Sequence, residues 1–205
     1  GIHPSRHFVN WYNGHPEHGD SVHDFHLSDV HTAVIIGQGN VAIDCARVLL
    51  SPVKRLRHTD ISNHAFSHLS NSNVREVHMI GRRGAIQSAF SIGELREMAT
   101  SVEDVQVSME KEEFAASENP SSLAELEASR PKKRKHELMK QIHAGTVKPL
   151  VPHSQSGPTP KQLHIRYLLS PKEFLPHKIH KDRVGAIVLE RTQLRGPPEH
   201  QEAAG

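Results

Sequence analysis

The chain has 205 residues, 25 Lys plus Arg against 23 Asp plus Glu, a formal net charge of +2, and one cysteine, Cys45. That length suits one to one-and-a-half ordinary domains; a single thiol excludes an internal disulfide framework and a zinc site built on several thiolates. No run approaches the roughly 18 apolar residues of a membrane span, and the near-neutral balance argues against general polyanion binding and leaves room for a local basic patch.

The first residue is Gly1 and no charged-then-apolar leader follows, which reads as an internal piece of a longer protein. Residues 1–31 are expected to be a lead-in, aromatic at first and then polar and loop-like. Thr32–Ile36 is a short β-branched apolar run closed by Gly37, the pattern of a buried strand. Asn40 to Leu50 has helical apolar spacing, with Pro52 as its stop, and Asp60 to Leu69 reads as a second, weaker helix. Val74–Ile80 is another strand closed by glycine, Ser91 to Met98 a helix, and Val105–Met109 a third strand. This β-α-(α)-β-α-β order predicts an α/β Rossmann-like domain with a parallel sheet, here assigned to residues 32–160 with an acidic insertion (110–130) followed by a basic one. Gln162–Leu169 and Val184–Leu194 alternate like half-buried strands, so 161–205 is expected to hold a small antiparallel β ribbon and, after Pro197, a frayed tail.

The chemistry concentrates in Gly37-Gln38-Gly39-Asn40-Val41-Ala42, a G-x-G-x-x-A turn between a strand and a helix. That is the context in which such a turn cradles a pyrophosphate. Gly37 permits the tight turn, Gly39 allows close backbone approach, and the following helix N-terminus offers N–H groups and a positive dipole end. The second strand ends in Gly81-Arg82-Arg83-Gly84, where an NAD-binding domain usually has an acid for the ribose hydroxyl. Two guanidiniums instead suit a 2′-phosphate, so the specificity reads as NADP over NAD. Gly81 follows Gly37 by 44 residues, against the roughly 20 to the usual ribose-binding position, so residues 51–73 are expected to be an insertion in the crossover.

Ser91-Ile92-Gly93-Glu94 is a capping-box pattern, in which Glu94 reaches back to the N-cap N–H; a carboxylate near the cofactor is the sharper reading. The run Arg130–His136 fits a solvated face, an import-like signal or a docking patch for an acidic partner. The histidines show no zinc-site spacing, so no metal is expected. Cys45, inside the first helix, reads as a core thiol.

The segments FVNWYNGHP (8–16), IIGQGNVAIDCARVLL (35–50), TDI (59–61), GRRG (81–84) and FSIGELREM (90–98) together resemble the mitochondrial adrenodoxin reductases, the NADPH:ferredoxin oxidoreductase family; RPKKRK (130–135) and LLSPKEFLP (168–176) do so more loosely. The resemblance accounts for the long crossover and implies a flavoprotein in which NADPH reduces FAD and FAD passes single electrons to a small acidic iron–sulfur ferredoxin. It implies cofactor contacts at Gln38, Gly39, Asn40, Val41, Arg82, Arg83 and Glu94, and ferredoxin docking at Arg96, Arg130 and Arg134. A mitochondrial location, peripheral membrane association of the parent and no nucleic-acid role follow from the same resemblance. There is no second G-x-G for FAD, so FAD is expected mainly on parts outside this chain, and the chain alone is expected to be inactive. The alternatives are a non-catalytic nucleotide-binding or interaction module and a relative of the glutamate synthase small subunit.

Overall fold

The computed structural model describes residues 1–18, 25, 27–151 and 159–205. The elements in chain order are α1 (Ser5–Tyr12), β1 (Thr32–Ile36), α2 (Asn40–Leu50), α3 (Val53–Leu56), α4 (Asn63–Ser70), β2 (Glu76–Ile80), α5 (Ile92–Thr100), β3 (Val105–Met109), α6 (Lys111–Ala116), α7 (Pro120–Ala128), α8 (Arg130–His143), β4 (Lys161–Arg166), β5 (Leu169–Pro176), β6 (Val184–Arg191), β7 (Gln193–Arg195) and β8 (Glu202–Ala204).

Four strands form a parallel sheet in the order β1-β2-β4-β3. Val77, Met79, Leu163, Ile165, Val105 and Met109 point to one face and are buried there, and Ala33 and Ile35 pack against them. Helices α2, α5 and α8 contact strands of this sheet. Cys45 lies in the core, and burial, then the nearby Asp44 carboxylate, pushes its thiol up to about 11, so it stays protonated near neutrality. The Rossmann-like α/β class read from the sequence is borne out.

The position of β4 differs from expectation. Its alternation suggested one arm of an antiparallel ribbon, yet Lys161–Arg166 runs parallel between β2 and β3, so the sheet crosses the expected 160/161 boundary. A parallel strand usually lacks alternation because both its faces are covered. Here Leu163 and Ile165 are buried while Gln162, His164 and Arg166 are only partly so, which yields the period of a half-buried strand. The ribbon does exist, one strand later: β5 pairs antiparallel with β6. The tail also departs from the frayed expectation, because β7 pairs with β8 and the buried Gln201 donates from Nε2 to Ser122 Oγ at 2.8 Å.

Two further segments are more structured than their composition suggested. Residues 5–12 of the lead-in are α1, whose Phe8 and Trp11 are buried with Phe25. The Trp11 carbonyl accepts from Ser62 Oγ at 3.2 Å and the Tyr12 carbonyl from Ser62 N at 2.9 Å, which ties α1 to the crossover insertion holding α3 and α4. The acidic stretch folds as α6 and α7 because two of its acids face inward. Glu113, 1% exposed, accepts from Arg166 and from the Tyr167 N–H at 3.0 Å. Glu125, 3% exposed, accepts from Gln87 at 2.9 Å and pairs with Lys132 at 2.5 Å.

Helix α8 begins with the basic run, so that run is helical and lacks the unstructured form an import-like signal needs. Lys135, on its buried side, donates to the carbonyls of Ser88 and Phe90 and lies over the Phe90 ring. Burial, then the neighbouring Lys132 charge, lowers its pKa from 10.5 to about 8, with Glu125 acting the other way. Between these two values the unfolded chain binds more protons than the folded one, so the Lys135 contribution to stability rises with pH across that window. Urea denaturation is expected to show the wild type gaining stability relative to Lys135→Met as pH is raised from about 8 towards 10.5; a constant difference contradicts the burial of the ammonium.

Candidate functional site

The parallel register decides where the two sequence motifs lie. Ile36 of β1 is paired with Ile80 of β2, and the Gly37 N–H donates to the Ile80 carbonyl at 2.8 Å. The glycine turn and the arginine turn therefore leave the same edge of the sheet from adjacent strands. Gly37 has φ +127°, a conformation L side chains rarely adopt. Gly39 is the N-cap of α2, no side chain caps that helix, and a Cβ built on Gly39 meets nothing within 4 Å. The turn is an open concavity in front of an uncapped helix N-terminus, the geometry that receives a diphosphate.

The side chains around this turn divide into anchors and unpaired groups. Gln38, expected at the pyrophosphate, turns its carboxamide inward over Gly81 and donates to the Arg166 carbonyl at 2.7 Å. Its own carbonyl accepts the N–H groups of Ala89 at 2.8 Å and Phe90 at 3.0 Å. Its side chain is thus committed to holding the turn, so the backbone is the part of Gln38 left to face a ligand. Asn40 Oδ1 accepts from the Ser91 N–H at 2.8 Å, locking the start of α5 beside the start of α2. This alters the expected capping box. Ser91 Oγ does accept from the Glu94 N–H at 3.2 Å, but Asn40 supplies the reciprocal bond that Glu94 was expected to make.

Arg82 and Arg83 are exposed, and among the described residues no hydrogen bond or ion pair holds either guanidinium. Their backbone is fixed. The Arg82 carbonyl accepts from Thr192 Oγ1 at 2.6 Å, the Arg83 carbonyl from the Leu168 N–H at 3.2 Å, and the Gly81 carbonyl from the Leu169 N–H at 3.1 Å. The turn is thereby clamped by the junctions after β4 and β6, while two cations remain available to an anion.

The basic helix sorts its charges in the same way. Lys132 pairs with Glu125 and Lys133 with Glu127, each at 2.5 Å, and Lys135 is internal. Arg130 and Arg134, four residues apart on α8, are exposed and have no such partner among the described residues. Arg96 and Arg134 line one groove of about 470 Å³ between α5 and α8, with Lys133 and Glu137 also on its walls. Sequence reasoning missed Lys135, which braces the 88–90 loop beside the glycine turn; a lysine inside a basic run gives no sign that it is buried.

An open glycine turn and an unpaired arginine pair at neighbouring ends of parallel strands define a Rossmann-like dinucleotide-binding unit. No protein-family model matches the chain. It is 37% identical over 194 residues to the mitochondrial NADPH:adrenodoxin oxidoreductase of Arabidopsis thaliana, covering 95% of this chain and 38% of the relative. To the enzyme of that name from Bos taurus it is 37% identical over 204 residues, covering 99% and 39%. The solved structure of Mycobacterium tuberculosis FprA in complex with NADPH superimposes with a TM-score of 0.77 at 30% identity, over 98% of this chain and 40% of that one. The chain is a homologue of NADPH:adrenodoxin oxidoreductases and spans about two fifths of their length.

Gly37→Ala should destabilise the fold by about 1–3 kcal/mol through backbone strain, whereas Gly39→Ala, whose new methyl meets open space, should cost no more than the roughly 1 kcal/mol of an alanine at a helix N-cap. A large stability loss in Gly39→Ala contradicts the open cradle.

Proposed function

We propose that this chain is the NADPH-binding part of an FAD-dependent NADPH:ferredoxin oxidoreductase of the adrenodoxin reductase type. The observation that carries the reading is the register of β1 and β2, which sets the Gly37–Val41 cradle beside Arg82 and Arg83. The homologues' names and the NADPH-bound structural relative support it. They do not favour the non-catalytic module or the glutamate synthase relative.

In this proposal the backbone of Gly39, Asn40 and Val41 faces the pyrophosphate at the start of α2, and Gly37 sets the turn. Gln38 acts through its backbone, with its side chain holding strand ends together. Arg82 and Arg83 take the 2′-phosphate by charge-assisted bonds, and Glu94, in the first turn of α5, stands near the ribose end. The bound cofactors supply the chemistry, hydride donation from NADPH to FAD and single-electron delivery onward. The chain supplies orientation and charge. FAD is held mainly by parts outside this chain, which alone is expected to be inactive.

The partner is a small acidic iron–sulfur ferredoxin, an adrenodoxin in the relatives' own naming. Arg96, Arg130 and Arg134 form its landing site, because they are cations of this face that no ion pair holds among the described residues, and such a patch steers an acidic partner. Location follows the relatives named mitochondrial, at the matrix side of the inner membrane with peripheral association of the parent. No helix among the described residues is long and apolar enough to cross a membrane.

Calorimetric titration tests the cofactor reading. Arg82→Ala/Arg83→Ala should weaken NADP⁺ binding about 10- to 100-fold, the equivalent of about 1.5–3 kcal/mol, and leave NAD⁺ binding nearly unchanged. Equal losses for both nucleotides reject the 2′-phosphate assignment. In the FAD-loaded parent enzyme, Arg130→Glu/Arg134→Glu should slow reduction of the ferredoxin at low ionic strength and spare a small neutral acceptor; parallel losses on both acceptors remove the docking role.

A further inference from the structure

The face of the parallel sheet opposite α2 carries a group of side chains that the nucleotide site does not use. Register sets them in rows across the strands. His78 of β2 is opposite His164 of β4, which is opposite Ser108 of β3; one pleat away Thr32 is opposite Glu76. Adjacent strands lie about 4.8 Å apart, so the two imidazoles stack, with centroids 4.7 Å apart and planes 21° from parallel. Glu76 Oε1 lies 2.9 Å from His78 Nε2 and 3.1 Å from His164 Nε2.

We propose that Glu76, His78 and His164 form a binding site for a divalent transition-metal cation of the zinc class. Two imidazole nitrogens and one carboxylate oxygen are a ligand set such ions take, with one or more positions left for water or another donor. Ligands of a tetrahedral zinc with bonds of about 2.0–2.1 Å sit about 3.3 Å from one another. The two nitrogen–oxygen separations are already near that value, and all three ligand atoms lie within 4.8 Å of one another. A tilt of the stacked rings closes the third side.

The surroundings orient the ligands. Thr32 Oγ1 donates to Glu76 Oε2 at 3.3 Å, which leaves Oε1 to the imidazoles. Ser108 Oγ lies 2.8 Å from His164 Nδ1, so the ring can carry its proton there and turn Nε2 to the ion. Arg166, two residues along β4 from His164, is matched by its bonds to Glu113 at 3.0 and 3.1 Å. All three ligands are partly exposed, so an ion can reach them.

Zinc titration of the 205-residue chain against a chromophoric chelator tests the site, with cobalt absorption as a second readout. One tight zinc per chain is expected. Glu76→Gln and His164→Gln should each weaken it about 100-fold and Ser108→Ala, which keeps every ligand, about tenfold. His177→Gln/His180→Gln, a stacked pair on another segment, should leave it unchanged. Absence of a saturable site in the wild type, or affinity unaltered in Glu76→Gln, His164→Gln and Ser108→Ala with circular dichroism showing intact folds, overturns the proposal.

Discussion

The pairing of Ile36 with Ile80 is the constraint on which the proposed nucleotide site depends. Parallel strands in register end at the same edge, so the residues just beyond them are neighbours however far apart they lie in sequence. That single geometric fact converts a 44-residue separation between Gly37 and Gly81 into a local arrangement. The intervening insertion holds α3 and α4, and α4 packs against α1. Hydrogen bonds then fix the turns from behind: Gln38 to the Arg166 carbonyl, Ala89 and Phe90 to the Gln38 carbonyl, and Thr192 to the Arg82 carbonyl. An anion site needs its donors unspent, and these structural bonds use neither the Arg82 nor the Arg83 guanidinium.

The same division of labour runs through α8. Lys132 and Lys133 pair with α7 and Lys135 braces the 88–90 loop, while Arg130 and Arg134 are exposed with no such partner among the described residues. A helix can do both because residues on opposite faces of one turn are adjacent in sequence. Lys135 consequently connects the helix carrying Arg130 and Arg134 to the loop beside the glycine turn, through its bonds to the Ser88 and Phe90 carbonyls.

Much of the fold was legible because its signals are local. β1, α2 and β3 fall where periodicity and glycine punctuation placed them, and the G-x-G turn is recognisable in its strand–helix context. The failures all concern long-range partners. Residues 161–166 alternate because one sheet face of this chain is covered, so a parallel strand carried an antiparallel pattern. The acidic stretch could be read only as an insertion, because nothing local shows that Glu113 meets Arg166 or that Glu125 meets Lys132. Asn40 displaced Glu94 from the expected cap by a contact 51 residues away. The proximity of Glu76, His78 and His164 has no signature in sequence spacing, since only the register of β2 and β4 brings them together.

The most direct measurement is a nuclear magnetic resonance comparison of NADP⁺ and NAD⁺ added to the chain. Both nucleotides should shift the backbone amides of Gly39, Asn40 and Val41, while only NADP⁺ should shift the side-chain Nε signals of Arg82 and Arg83. Arginine signals that respond alike to both nucleotides, or amide shifts that fall away from the glycine turn, would contradict a diphosphate cradle with a phosphate clasp one strand over.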